Sequence, residues 1–382
     1  MREFQPFEME QLMSQWEQRV EFNLSESGVH PMRFGELLDG EDGLDALLAT
    51  ELGYPEVNGT ERLRRRIGAL YGAVAEQVLV TVGCCEALQI SLQTVFDRAP
   101  ASRPEAVVMM PNYLHAWGMA RNLGFEVREL RLRPEAEWRP DLAELEAVVG
   151  ERTAVIAVCN PNNPTGAILS EAEMDAVVAA AERVGAWILA DEVYAGAERT
   201  TDRETPSFWG RSDRVLALNS LSKAYGLPGL RLGWIVAPRD MIEAIWRRHE
   251  YSTLATTMLA NKLAEHVLSE EVRPRILERT RRYVRNGYDR LEDWLESFDG
   301  LFEVTPPQAA AIAFVRHHLP IDSLRLVDRL IRRRSVLVVP GEHFGVPDHL
   351  RISFGPPSDY LAGGLEQIGA EVEELLAEPA PG

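Results

Sequence analysis

Lysine is almost missing from this 382-residue chain: Lys223 and Lys262 are the only lysines among 40 basic residues, which leaves 38 arginines. A chain that uses arginine nearly everywhere keeps lysine where an amine able to lose its proton does what a guanidinium cannot. Cysteine is scarce as well. Cys84, Cys85 and Cys159 are the three present, an odd number without CxxC or metal-ligand spacing, so neither a disulfide nor a zinc site is expected and a reducing compartment fits. No run of about 18 apolar residues occurs, and the opening Met1-Arg-Glu-Phe-Gln-Pro-Phe-Glu8 carries acids where a signal peptide needs an apolar core. A cytoplasmic protein is the expectation. Positive charge is also short, with a formal net charge of −19. That argues against nucleic acid or an anionic membrane as partner, because both are polyanions held by clustered Lys and Arg. No G-x-G-x-x-G follows a candidate strand, which excludes a nicotinamide-binding Rossmann fingerprint.

What is present reads as a globular chain, 46% apolar and 26% charged, too long for one ordinary core and so expected to form two domains. Between about residues 60 and 240, apolar β-rich runs alternate with helical periodicity, the rhythm of a parallel sheet with crossover helices. The runs are Val78–Val82, Ala106–Met110, Ala154–Val158, Trp187–Ala190, Val215–Leu218 and Gly233–Val236. Each is short and apolar throughout, as strands between two helix layers should be. Ser170-Glu-Ala-Glu173 is a capping box that opens a helix, and Gly185 closes it. After about residue 255 long charged helices take over, followed by shorter β-rich pieces around Ala310–Val315, Val336–Val339 and Leu350–Phe354. The expected architecture is α/β: a three-layer large domain over residues 46–280 with a mostly parallel sheet, and a smaller α+β domain over 281–382. Residues 1–45 are expected to form an N-terminal arm and part of the small domain.

Ligands of such sheets collect beyond the C-terminal ends of strands, and the unusual residues of this chain follow those ends. Gly83-Cys-Cys-Glu-Ala-Leu88 is a glycine turn into a helix, either a plain βα turn or a cup whose free N–H groups take a phosphate. Pro111-Asn-Tyr-Leu-His115 sets an aromatic ring where it could stack on a planar cofactor. In Asn160-Pro-Asn-Asn-Pro-Thr-Gly166 two X-Pro steps fix the polar side chains between them. Asp191-Glu-Val-Tyr194 brings a carboxylate straight after an apolar run, where burial is costly unless a cation or donors meet it. Ser220-Leu-Ser-Lys223, with Arg231 downstream, offers hydroxyls and a guanidinium to an anion. An amine at the end of a buried strand suggests Schiff-base chemistry, whereas Lys262, in an amphipathic stretch, reads as a surface residue. An imine-forming lysine, an acid for a pyridinium nitrogen, a phenol, an amide, a stacking ring and a phosphate cup are together what pyridoxal 5′-phosphate needs.

Over nearly its full length the chain resembles fold-type I pyridoxal-phosphate enzymes of the class I/II aminotransferase family. The Asn160–Gly166 and Ser220–Gly233 motifs carry the likeness. The resemblance implies that Lys223 binds the cofactor and shuttles protons, that Asp191 pairs with the pyridine nitrogen, and that Asn163 and Tyr194 hydrogen-bond the phenolic oxygen. Tyr113 would stack on the ring, and Ser220, Ser222, Arg231 and the backbone at Gly83, Cys84 and Cys85 would hold the phosphate. Tyr54, in Gly53-Tyr-Pro-Glu-Val-Asn-Gly59, matches the tyrosine lent to the partner's phosphate across a homodimer interface. Arg351, in Leu350-Arg-Ile-Ser-Phe-Gly355, matches the arginine that clamps the substrate's α-carboxylate; without that match it reads as one surface arginine among many. No clear counterpart of a second arginine for dicarboxylic substrates is visible.

The segment Asn23-Leu-Ser-Glu-Ser-Gly-Val-His-Pro31, followed by Phe34-Gly-Glu-Leu37, is similar to the start of capreomycidine and enduracididine synthases, family relatives that cyclise hydroxylated arginines. By that analogy Gly28 and His30 lie at the substrate, His30 as an acid or base; the other reading of His30 is a loop cap before Pro31. The favoured expectation is an aminotransferase taking an L-amino acid and a 2-oxo acid. The alternative is a lyase or cyclase on an arginine-derived substrate, where Glu17, Glu26 or His30 could meet the guanidinium. A non-catalytic regulator would need an added DNA-binding segment, and none is visible.

Overall fold

The apolar runs assemble into one sheet because each is buried on both faces. In a computed structural model, which describes residues 4–38 and 40–378, a short N-terminal strand β1 (Phe22–Asn23) precedes β2 (Val78–Thr81), β3 (Glu105–Met110), β4 (Glu126–Arg131), β5 (Thr153–Cys159), β6 (Trp187–Asp191), β7 (Val215–Ser220) and β8 (Gly233–Val236). Residues 1–3, at the head of the stretch read above for a leader, and 379–382 lie outside the described residues. The seven strands β2 to β8 lie in the order β2-β8-β7-β6-β5-β3-β4. Every pair is parallel except the two made by β8. Two reversals cancel, so β2 runs with β7, and the C-terminal ends of β2, β3, β5, β6 and β7 share one edge of the sheet. Alternate residues feed opposite cores: Val107, Met109, Ile156 and Val158 one, Ala106, Val108, Val155 and Ala157 the other. A strand with two buried faces must be apolar at every position.

Strand β4 was not among the runs read from sequence. It is the sheet edge, its residues alternate between exposed and partly buried until Leu130, and charge at such an edge blocks further pairing. Between β5 and β6 the helix Glu171–Val184 has the expected box. Ser170 Oγ accepts from Glu173 N at 3.3 Å while Glu173 Oε2 accepts from Ser170 N at 2.7 Å, and Gly185 ends the helix at φ 67°.

The C-terminal part adds β9 (Phe302–Val304), β10 (Ile312–His317), β11 (Val336–Leu337), β12 (Val339–Pro340) and β13 (His349–Ser353). Four form an antiparallel sheet in the order β12-β13-β10-β9, while β11 pairs in parallel with β1. Their core contains Leu24, Val29, Val284, Leu291 and Ile352, separate from the cores of the large sheet. Two helices take part in both. In Arg273–Glu296, Ile276 and Leu277 belong to the large unit's core, Val284, Tyr288, Leu291 and Leu295 to the small unit's. In the N-terminal helix Glu8–Trp16, Met9 and Met13 face the large unit, Leu12 and Trp16 the small one, each pair one turn apart. Among the described residues no helix is long and apolar enough to cross a membrane.

Gly287 lets the long helix lie against the strand end that carries Arg351, since an added Cβ would overlap the Phe354 carbonyl oxygen. Alanine gains about 1 kcal/mol of helix propensity over glycine, but overlap with backbone costs about 1–3 kcal/mol and cannot be relieved by a rotamer change. Gly287→Ala should therefore lower the midpoint of urea unfolding. An unchanged or raised midpoint would show that the helix can move away freely.

Candidate active site

The shared strand edge opens into a cavity of about 220 Å³ whose lining includes Asp191, Lys223, Asn163, Tyr194, Arg351 and Arg231. Asp191 ends β6. Its Oδ1 accepts from Val193 N at 3.2 Å and lies 3.8 Å from Cys84 Sγ. Burial outweighs these donors and the Lys223 charge and pushes the carboxyl up to about 6. A carboxylate held this way is stabilised by a cation brought beside it. Lys223, on the turn after β7, has its Nζ 3.8 Å from Glu26 Oε2. Lys262 is exposed elsewhere, so Lys223 is the one lysine in the site.

A hydrogen-bond chain crosses from the small unit to the large one. Arg351 of β13 donates through Nη1 to Asn163 Oδ1 at 3.0 Å and through Nη2 to the Ser25 carbonyl. Asn163 Nδ2 donates to the Tyr194 hydroxyl at 3.0 Å, which donates to Ser27 Oγ at 2.9 Å. Arg351 is 1% exposed, its Nε has no partner, and neither of its oxygen partners is a carboxylate. A buried guanidinium with an idle donor is suited to receive an anion. Burial holds the Tyr194 phenol protonated, well above its ordinary range.

At the other end of the cavity the helix Gly83–Arg98 begins at Gly83, φ 75°. An added Cβ there would stand 2.6 Å from Arg231 Nη2, and one on Gly233 2.6 Å from the Gly83 carbonyl carbon, so two glycines make the close approach possible. Arg231 Nη1 donates to Ser222 Oγ at 3.3 Å and to the Pro228 carbonyl at 3.0 Å. Ser220 and Ser222 line the same cavity, as do Cys84 and Cys85. First-turn N–H groups, two hydroxyls and a guanidinium converge, a donor set that fits a phosphate.

The remaining expected residues divide. Tyr113 lines the cavity and donates to Glu10 Oε1 at 2.6 Å. Gly28 lies against Lys223: a Cβ there would be 3.7 Å from Lys223 Cδ. His30 does not line the cavity; its ring lies 6.4 Å from that of Tyr283, Arg279 donates to its carbonyl at 3.1 Å, and burial with the Arg279 charge lowers its pKa. Tyr54 is 88% exposed and stands apart, beside Leu52 and Thr253 on a surface groove. Glu17 and Glu26 both line the cavity, with burial and the charges of Glu26 and Glu10 raising Glu17. Sequence reading missed Glu10, Met13, Ser27, His115 and Cys159. A signal for Glu10 did exist: Met9, Leu12, Met13 and Trp16 occupy two helix faces, and Glu10 stands between such positions.

The family model of class I and II aminotransferases matches residues 45–368. The chain belongs to this family. Capreomycidine synthase of Streptomyces vinaceus is 34% identical over 366 residues, covering 92% of this chain and 89% of that protein. An arginine–pyruvate transaminase of Pseudomonas aeruginosa is 28% identical, covering 88% and 86%. Among solved structures, a PLP-dependent aminotransferase of Streptococcus suis superposes with a TM-score of 0.90 at 26% identity, covering 98% of this chain and 99% of that one. The fold is fold type I, and the cofactor is pyridoxal 5′-phosphate.

Asp191 generates a sign-specific prediction for the apoprotein. Its folded pKa is raised from 3.8 to about 6, so the native state keeps the proton longer, and this stabilisation is full below pH 3.8 and lost as pH rises through about 6. Above that range the buried anion costs about 2 kcal/mol, allowing for water in the cavity. Apo Asp191→Asn should accordingly be more stable than the parent at pH 7 and equal to it near pH 4, read by urea unfolding. A difference independent of pH would refute the raised pKa.

Proposed function

We propose that this chain transfers the amino group of an L-amino acid with a guanidino side chain to a 2-oxo acid that carries no second carboxylate. The carrying observation is the charge of the cavity wall. Arg351 is the free anion-seeking group, Arg231 belongs to the phosphate end, and Glu10, Glu17 and Glu26 supply three carboxylates. One anionic end and one cationic side chain would balance that wall, whereas a dicarboxylate would face repulsion.

When bound, the cofactor would supply an electron-withdrawing protonated ring that makes the amino acid's Cα proton acidic. The chain's residues do the rest. Asp191 would face the ring nitrogen and keep a proton there. Asn163 and Tyr194 would hydrogen-bond the phenolic oxygen, Tyr194 turning its one O–H from Ser27 Oγ to do so. Tyr113 would cover the ring face. The Gly83 turn, Ser220, Ser222 and Arg231 would hold the phosphate, while Arg351 would take the substrate α-carboxylate. Lys223 would hold the cofactor through its amine and, with that amine free, would move the Cα proton as a base and acid. In the net reaction the amino acid becomes its 2-oxo acid and the acceptor oxo acid becomes an amino acid.

A second reading, elimination and ring closure on a hydroxylated arginine, is favoured by the 34% identity to capreomycidine synthase. We also infer a homodimer. Leu52 and Tyr54, 76% and 88% exposed, line one surface groove with Ala255, Met258 and Leu259, an apolar face that a second copy would cover while Tyr54 reached its phosphate. Light scattering checks this: the mass should be that of two chains, and Tyr54→Phe should weaken cofactor retention.

The reaction is tested by adding single amino acids to the cofactor-loaded protein without any oxo acid and following the cofactor's absorption. Arginine should convert the cofactor to its amine form, and pyruvate should restore it where 2-oxoglutarate does not. Release of ammonia or a cyclic product from hydroxyarginine, without that conversion, would replace amino transfer by the second reading. Lys223→Ala and Lys223→Arg should both be inactive, because a guanidinium stays protonated. Glu17→Gln should raise KM for arginine by about tenfold, the weight of about 1.4 kcal/mol, and leave an uncharged amino acid unaffected. Equal effects on both would remove Glu17 from side-chain recognition.

A further inference from the structure

Behind the phosphate end, outside the cavity, lies a second charged assembly. Glu86 is one residue past Cys85 in the helix that opens at Gly83. Its Oε2 accepts from Val82 N at 2.6 Å, and its Oε1 accepts from Thr253 Oγ1 at 2.7 Å and from Ser252 Oγ. His249 Nδ1 stands 3.0 Å from the same Oε1. The other ring nitrogen, Nε2, lies 3.0 Å from the Val57 carbonyl oxygen. Glu86 is 8% exposed and His249 is fully buried.

Both ring nitrogens of His249 face atoms that accept: a carboxylate that already takes the Val82 N–H and two hydroxyls, and a peptide carbonyl. Both must therefore carry hydrogen, which makes the ring an imidazolium. The charge matters because of where the carboxylate sits. An anion in the first turn of this helix stands next to the N–H groups offered to the cofactor phosphate, and uncompensated it would repel that phosphate across a low-dielectric interior. The imidazolium cancels it. The same ring grips Val57, three residues after Tyr54, while Asn58 accepts from Val80 N of β2 at 3.1 Å.

We propose that the His249–Glu86 pair is a charge-neutral clamp that positions the phosphate turn and ties it to the Tyr54 loop, so that His249 sets cofactor affinity without touching cofactor or substrate. Glu86 fixes the geometry of Val82 and the turn, and His249 removes the electrostatic cost of having a carboxylate there. Both are positioning residues. The inference rests on the phosphate lying at the Gly83 turn.

The test is the dissociation constant of pyridoxal 5′-phosphate from full-length apoprotein, measured for the parent, H249Q, E86Q and E86Q/H249Q, with thermal unfolding alongside. H249Q leaves a buried carboxylate uncompensated and should weaken cofactor binding by about tenfold or more. E86Q removes the anion and keeps the shape, so it should bind as tightly as the parent or tighter. The double variant restores neutrality and should return to within about threefold of the parent. KM for the amino acid, at saturating cofactor, should move in none of them. A purely structural role predicts instead that E86Q weakens binding and that the double variant is worse than either single one, and that pattern would overturn the clamp. If H249Q fails to fold, E86Q alone decides, since weaker binding by a folded E86Q contradicts the charge argument. If the parent itself binds no cofactor, the reading of the phosphate end fails; if the parent binds and no variant differs, only the clamp fails.

Discussion

A guanidinium buried without a carboxylate holds the two halves of the active site in register. Arg351 comes from the small unit's sheet, yet its hydrogen bonds run to Asn163 on the large unit and Ser25 on the N-terminal segment. From Asn163 the chain continues to Tyr194 and Ser27. Removing a charged group from water is costly unless its donors are met, and here only part of the donor set is met internally. The site's geometry and its appetite for an anion thus have the same origin. Every residue assigned to the phenolic oxygen is fixed through contacts that begin at this arginine.

The large sheet was legible because burial on two faces demands unbroken apolar runs, and six of its strands announce themselves in that way. Strand β4 did not, since an edge strand such as Glu126–Arg131 keeps its charges and its pattern resembles a surface loop. Asp191, Asn163, Lys223 and Arg231 were legible for a related reason. Polar residues that follow the parallel buried strands, and Arg231 just before the antiparallel β8, are confined to one edge by the topology, so chain order alone predicts their neighbourhood. Tyr54 and His30 could be read only by likeness. The single chain sets Tyr54 at the surface and His30 against Tyr283, and nothing in their local pattern fixes a distance to the cavity.

Among the acids, Glu17 and Glu26 were read by likeness and Glu10 was not read at all. Glu10 and Glu17 come from an N-terminal helix and the turn after it, far in sequence from the strand ends, and they reach the cavity because Met9 and Met13 anchor that helix on one core and Leu12 and Trp16 on the other. Their place depends on a three-body packing arrangement: local periodicity sets Glu10 between two apolar faces but does not say which cores those faces meet. The cavity's negative wall is therefore a tertiary property, while its catalytic floor is a property of sheet topology. Family relatives sharing the floor can differ in substrate through the wall alone.

The helix Arg273–Glu296 begins in one core and ends in the other, with Leu277 and Val284 on either side of the change. Mechanically it is a beam clamped at both ends. A rotation of the small unit that moved Arg351 relative to Asn163 and Ser25 would have to bend this beam or swing it as a whole. Stiffness along seven residues in the middle of one helix, outside the cavity, would then set how easily that arginine shifts against the large unit.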